Sequence, residues 1–172
     1  MILDYSEKKK VKIDMRRYVA DMLEDFPVKL GEKDTSAYPA VEDLFGQHGG
    51  DSAKLGTEMA EGFHSTVAKG LFLTKRSRPD IQPSIAYLCT RVKAPTQSDW
   101  KKLVRMMKFL NATKEDMLTL SADNLRVIKW YVDASFAVHE DYKSHTGAVM
   151  TMGGGAIQSM SRKQKGGIGG SR

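Results

Sequence analysis

The sequence predicts an α+β chain in which a strand and a helix lead into a basic three-helix unit and then into an incomplete β-sheet. Three observations predict it. Apolar residues recur at helical spacing from Phe63 to Thr113 and at strand spacing beyond it. Positive charge is gathered in the middle: residues 63–111 carry 10 Lys and Arg against 2 Asp and Glu, while 1–62 carry 9 against 13 and 112–172 carry 8 against 6. The strands at the end of the chain are followed by no segment able to cover their apolar face.

The chain has 172 residues, 41% hydrophobic and 28% charged, with a mean hydropathy of −0.42. That size suits one domain or two small units and excludes a complete polymerase. No apolar run approaches the roughly 20 residues of a membrane span, and no export signal opens the sequence, so an intracellular protein of cytoplasm or nucleus is expected. The single cysteine, Cys89, lacks partners at metal-ligand spacing and is expected in the core.

Lys10-Val11-Lys12-Ile13 alternates polar and apolar residues as a half-buried strand does. Asp14 is a suitable N-cap for a helix with Met15, Tyr18, Val19, Met22, Leu23 and Phe26 on one stripe, closed by Pro27. Residues 28–62 lack sustained periodicity and read as an irregular connector with a helical turn near Val41–Phe45. The next helix is expected from Phe63, with Val67, Leu71 and Phe72 on its stripe, ending at Arg78-Pro79. Pro79 and Asp80 are placed to end that helix and cap the next, which carries Ile81, Ile85, Leu88, Cys89 and Val92. Thr96 and Asp99 have capping-box spacing ahead of a third helix with Trp100, Leu103, Val104, Met107 and Leu110.

Strands are expected at Met117–Leu120, Val127–Val132, Ala148–Met152 and Ala156–Met160, with turns at Asn124, Gly147 and Gly153-Gly154-Gly155. The triple glycine lacks the context of a phosphate loop and reads as a hairpin turn. From Ser161 the sequence is Lys, Arg, Gln, Gly and Ser with Ile168 its one apolar residue, and no order is expected there. His48, His64, His139 and His145 show no metal-ligand spacing, and His145 reads as an exposed imidazole in a turn over Ser144–Gly147.

Several strings, taken in order, carry a family resemblance. They are Lys12-Ile13-Asp14-Met15 with Tyr18-Val19 and Met22-Leu23; Gly62-Phe63-His64-Ser65-Thr66-Val67 with Leu71-Phe72-Leu73; Arg78-Pro79-Asp80-Ile81; and Phe109-Leu110-Asn111-Ala112-Thr113. Tyr131-Val132-Asp133-Ala134-Ser135-Phe136-Ala137, Ser144-His145-Thr146-Gly147 and Ser161-Arg162-Lys163-Gln164 follow. Over residues 1–165 the chain resembles the later reverse transcriptase region of copia-type long-terminal-repeat retrotransposon polyproteins. The resemblance implies the end of the palm at 1–27, a connector at 28–62, a thumb-like helical unit at 63–113 and a connection at 114–126. It further implies the first strands of a truncated ribonuclease H-like domain at 127–165 and a disordered tail at 166–172.

The resemblance also implies that Asp133 is the first metal-binding carboxylate of a ribonuclease H site, where two magnesium ions about 4 Å apart would activate water and hold the leaving oxygen. Such a site needs several carboxylates. The family continues past the Ser161 string into a helix with a glutamate and a strand with an aspartate, whereas this sequence continues Gly166-Gly167-Ile168-Gly169-Gly170-Ser171-Arg172. Glu140 and Asp141 follow Asp133, but the resemblance gives them no role. Tyr131-Val132-Asp133-Ala134 is not the paired-aspartate polymerase motif, because Ala134 fills the second position.

Three readings result. The chain is a catalytically inactive fragment of a parent that copies RNA into DNA and cuts RNA in RNA–DNA hybrids with magnesium. Alternatively, it is a non-catalytic remnant that binds a hybrid or primer–template duplex through backbone phosphates. Arg76, Arg78, Arg91, Lys93, Lys101, Lys102 and Arg105 are the expected contacts, in a basic unit that also holds Lys69, Lys75 and Lys108, while Trp100 is expected in the core. A relic whose exposed strand edge promotes aggregation is the third possibility.

Overall fold

Six strands form two antiparallel three-stranded sheets around four helices, as described by a computed structural model for residues 1–41, 44–45, 52–136, 138–139 and 142–167. In chain order these are β1 (Ile2–Asp4), β2 (Lys10–Asp14), α1 (Arg16–Glu24), α2 (Thr57–Thr74), α3 (Gln82–Arg91), α4 (Gln97–Ala112), β3 (Leu118–Ser121), β4 (Lys129–Ser135), β5 (Lys143–Thr151) and β6 (Gln158–Gly167). A 3-10 turn, Pro79–Ile81, precedes α3.

The alternating strand at Lys10–Asp14 is the centre of the first sheet, with β1 and β3 on either side. Its Val11 and Ile13 face Leu120 and Leu118, so the apolar alternation of two distant segments meets in register. Strand β1 is absent from the sequence reading because Ile2 and Leu3 follow one another without alternation and stay exposed. Glu7, in the β1–β2 connection, bridges Lys10 and Lys12, and those two ammonium groups hold its carboxyl down at about 2.

The helices share one core. Met15, Val19, Met22 and Phe26 at α1 are buried with Phe63, Val67 and Leu73 of α2, Ile85 and Leu88 of α3, and Leu103, Met106, Met107 and Leu110 of α4. Phe26 stacks on Trp100 with ring centroids 5.6 Å apart, which puts Trp100 in the core as expected. Cys89 is half-buried against this core, where burial pushes its thiol pKa up.

Local details differ from the sequence reading at four places. Asp14 is not the residue at the α1 N-cap position, which is Met15, but its Oδ1 accepts the Arg16 backbone N–H at 2.9 Å and so satisfies an orphan donor of the first turn. Helix α2 starts at Thr57 rather than Phe63, a turn whose only large apolar side chain is Met59 and which is therefore silent in a periodicity reading. Leu71 and Phe72 lie on its exposed side; the core side is taken by Gly70 and Leu73, and a Cβ at Gly70 would collide with Ile85 Cδ1. Asp80 caps no helix through its side chain, because it is engaged by Arg78. The capping box at Thr96 and Asp99 is formed as read.

The connector straps the helices. Ser84 Oγ donates to the Pro39 carbonyl, Asn111 Nδ2 to those of Gly31 and Asp34, and Gln97 N to that of Ala53. The expected turn at Val41–Phe45 includes Glu42 and Asp43, which lie outside the described residues.

The four later strands were expected in one sheet, but β3 pairs with β2 and leaves β4-β5-β6 as a separate sheet. Strand β5 runs through Ser144–Gly147, read as a turn; with no side chain, Gly147 sits between Asp133 and Ser161 in the ladder. Strand β6 continues through Ser161–Gly167, read as lacking order, because the β5 backbone pairs with it irrespective of side-chain polarity and Gln164 Nε2 donates to Thr146 Oγ1 at 2.8 Å. Residues 168–172 lie outside the described residues. The glycine run does form the β5–β6 turn, and that turn also covers the edge of β3: Ser121 N donates to Gly154 O at 2.9 Å and Asp123 N to Met152 O at 3.0 Å. Gly155 has φ +77° and lies against the Thr119 backbone, which only glycine allows.

The sheet is not without a helix either. Ser159 of β6 hydrogen-bonds Gln82 of α3, and Lys75 Nζ reaches the Ser159 carbonyl. Strand β4 is the part left open: Trp130, Tyr131 and Val132 are 57%, 62% and 67% exposed.

Candidate nucleic-acid interface

Helix α4 owes its position to its first turn. Thr96 Oγ1 accepts from Asp99 N, and Asp99 Oδ2 accepts from Thr96 N at 2.9 Å. Asp99 is buried yet carries further donors, Tyr87 Oη at 3.3 Å and Arg91 Nε at 3.2 Å, so its charge is compensated by hydrogen bonds and a guanidinium.

From this anchored start Lys101, Lys102, Arg105 and Lys108 recur at steps of one, three and three, which places them on one side of the helix. They line a groove of about 540 Å³ between α4 and connector residues Thr35, Ser36, Pro39, Ala40, Val41 and Leu44. Lys101 and Arg105 are exposed. Lys102 Nζ donates to the Leu44 carbonyl at 2.8 Å and lies 4.1 Å from the Tyr87 ring centroid. Lys108 pairs with Asp34 at 2.9 Å, and that pairing holds the Asp34 carboxyl below its ordinary range.

The other cations separate into two kinds. Arg76 is exposed, lying over the Phe72 ring at 3.5 Å, and Lys93 is exposed in the turn after α3. Lys69 and Arg91 face carboxylates, those of Asp25 and Asp99. Arg78 is withdrawn from solvent altogether, at 2% exposure. Its Nη2 donates to Asp80 Oδ2 at 2.7 Å and to Thr113 Oγ1 at 2.6 Å, and its Nη1 to the Thr113 carbonyl at 3.0 Å. The expectation that Arg78 touches phosphate is therefore corrected: this guanidinium ties the turn before α3 to the end of α4. No carboxylate of the described residues is within ion-pair distance of Arg76, Lys93, Lys101 or Arg105.

Asp133 lies inside β4, exposed, opposite Gly147, and its Oδ1 accepts the Ala134 N–H at 2.8 Å. Among the described residues no three His, Cys, Asp or Glu side chains are gathered as metal ligands. Glu140 and Asp141 lie outside the described residues. One exposed aspartate with a backbone donor does not fit a pair of magnesium ions, whose charge requires several carboxylates.

His145 is not the exposed imidazole of the sequence reading. It is 9% exposed, with Nε2 2.7 Å from Ser161 Oγ and Nδ1 3.1 Å from His139 Nε2, and Phe45 packs on both rings. Burial, then the neighbouring His139, pushes its pKa down. No local spacing announces this chain, because the β5–β6 register creates it.

Among the described residues no helix is long and apolar enough to cross a membrane. No protein-family model matches the chain, and no solved structure matches it. Known proteins do. It is 29% identical over 104 residues, 60% of its length, to the retrovirus-related Pol polyprotein from transposon TNT 1-94 of Nicotiana tabacum. It is 31% identical over 91 residues, 52% of its length, to the Pol polyprotein from transposon RE2 of Arabidopsis thaliana. The matches cover 8% and 6% of those two polyproteins. A third relative, secreted RxLR effector protein 161 of Plasmopara viticola, is 26% identical over 102 residues, which make up 72% of that protein. Over more than half of its length, then, the chain is similar to a small segment of plant retrotransposon Pol polyproteins.

Proposed function

We propose that the chain is a segment of a copia-type retrotransposon polyprotein, running from the end of a reverse transcriptase palm through thumb-like helices into the start of a ribonuclease H domain. RNA-templated DNA synthesis and cleavage of RNA in hybrids are, on this reading, reactions of the parent with magnesium. The similarity to two Pol polyproteins supports the origin. The activity proposed for the chain itself is sequence-independent binding of an RNA–DNA hybrid or primer–template duplex by its basic helices.

The observation that carries this reading is the basic side of α4. Lys101 and Arg105 present charge to solvent one turn apart, and Lys102 and Lys108 flank them beside the groove. A row of cations on a rigid helix neutralises successive phosphates and releases their counterions, which gives affinity without sequence information. Arg76 and Lys93 are secondary contacts on this reading, and Arg78 and Arg91 are structural.

Fluorescence anisotropy of a labelled RNA–DNA hybrid tests it. Binding should weaken linearly in log Kd against log salt, and Lys101→Ala with Arg105→Ala should lower the slope by about 0.9 for each phosphate contact removed. A hybrid, a DNA duplex and scrambled sequences should bind alike. Binding absent at low ionic strength, or unchanged in the double variant, overturns the reading.

A further inference from the structure

We propose that β4 is a self-pairing edge, joining two copies of the chain in antiparallel register about Tyr131 into one continuous six-stranded sheet. The inference is independent of the function proposed above.

The hydrogen-bonding phase of the edge follows from the ladder. The Met150 carbonyl accepts from Ile157 N, so the even-numbered residues of β5 turn toward the β6 side and the odd-numbered ones toward β4. The β4 residues opposite those odd positions are Lys129, Tyr131, Asp133 and Ser135. The backbone groups of Trp130, Val132 and Ala134 consequently point away from β5, and Ala134 N–H is found on its neighbour's carboxylate, that of Asp133, rather than on a strand. Among the described residues no strand lies on that side.

An antiparallel partner must match these outward groups with its own. Symmetric registers centred on Trp130, Tyr131 or Val132 all do so, and charge chooses among them. Centred on Tyr131, Lys129 of each copy stands opposite Asp133 of the other, a non-hydrogen-bonded position where side chains are closest, while Trp130 stands opposite Val132. Centred on Val132, Lys129 meets Ser135; centred on Trp130, it meets Tyr131. The Tyr131 register thus gives two reciprocal ion pairs and two apolar pairs around one aromatic pair. Lys129 also reaches Asp123 at 2.9 Å, an exposed ion pair that holds little energy and does not compete strongly.

The other edges are less suited. Strand β1 has three residues, β3 is covered by the glycine turn, and β6 carries Arg162, Lys163 and Lys165, a like-charged edge that repels its copy.

Sedimentation velocity on the full chain across micromolar concentrations tests the proposal. Lys129→Asp and Asp133→Lys should each raise the dimer dissociation constant about tenfold, by replacing two attractions with two repulsions. Mixed one to one, the two variants should associate with each other as the wild type does with itself, because the strand that has gained a carboxylate then faces the strand that has gained an ammonium, and both cross-strand pairs are again of opposite charge. A chain carrying both Lys129→Asp and Asp133→Lys should also dimerise, since exchanging the two charges preserves each pair. A wild-type chain that stays monomeric, single variants that associate as well as wild type, or a mixture that stays monomeric each overturn the proposal.

Discussion

The helical unit and the carboxyl-terminal sheet use apolar residues in opposite ways. In α1–α4 they converge: Phe63, Leu73, Leu88, Leu103, Met106, Met107 and Leu110 have no measurable exposure, and the charged residues that intrude, Arg78 and Asp99, are each held by hydrogen bonds on several sides. In β4 they diverge: Trp130, Tyr131 and Val132 alternate across a strand whose two faces are both open. The same residue types therefore stabilise in one region and leave the other dependent on its backbone ladder and on contacts with something else. Stability resides in the helices, and the capacity for association in the sheet.

Matched truncations give the largest expected contrast. Leu103→Ala should cost about 2–5 kcal/mol in denaturant unfolding, because a fully enclosed side chain leaves a cavity. Val132→Ala, at 67% exposure, should stay within about 0.5 kcal/mol for the monomer. Equal losses at the two positions would break the comparison. Next in size is Arg78→Met, which removes the bonds to Thr113 and Asp80 while keeping an apolar stem. It should cost about 2–3 kcal/mol, each bond being charge-assisted, and less than the loss of a fully buried pair because Asp80 is 40% exposed and can be hydrated. Arg78→Met should leave the salt slope of hybrid binding unchanged, which separates its structural role from phosphate contact.

Thr96→Ala is expected to cost about 1 kcal/mol, by removing the side-chain acceptor for Asp99 N at the start of α4. This is also the element most readable in the sequence, and the reason is physical. A capping box and a period of apolar residues act within a few residues of chain, so the α4 start, the α4 stripe and the strand at Lys10–Asp14 follow from local rules. What local rules do not contain is pairing. Leu118 and Leu120 alternate equally well for either sheet, and only the match with Ile13 and Val11 decides that β3 joins the first. The polar run Ser161–Lys165 looks like a tail until the β5 backbone is placed beside it. Arg78 in Arg-Pro-Asp-Ile looks like a surface cation until Thr113, 35 residues on, is brought to its guanidinium. Of the candidate interface, the cations of α4 were readable by helical spacing; that Arg91 is taken by Asp99 and Arg78 by Asp80 was not.

The smallest effect concerns the sheet alone. His145 has a folded-state pKa below its ordinary value of 6.5, first because it is buried and second because His139 adjoins it. On acidification the unfolded chain therefore takes up this proton before the folded chain does. The contribution His145 makes while neutral is complete above about pH 6.5 and is lost as pH falls through the depressed folded-state value. Protonation also fills both ring nitrogens with hydrogens, so Nδ1 and Nε2 can only donate, and the chain from His139 to Ser161 must reorient or break. Amide hydrogen exchange should show protection in β5 and β6 falling as pH is lowered below about 6.5 once the intrinsic exchange rate is corrected for, with α2–α4 unaffected. His145→Gln keeps a hydrogen-bonding group without a proton to gain, and should make β5 and β6 as indifferent to pH as the helices. A uniform loss of protection across helices and sheet would mean that the two regions open together, and the division of stability between them would fail.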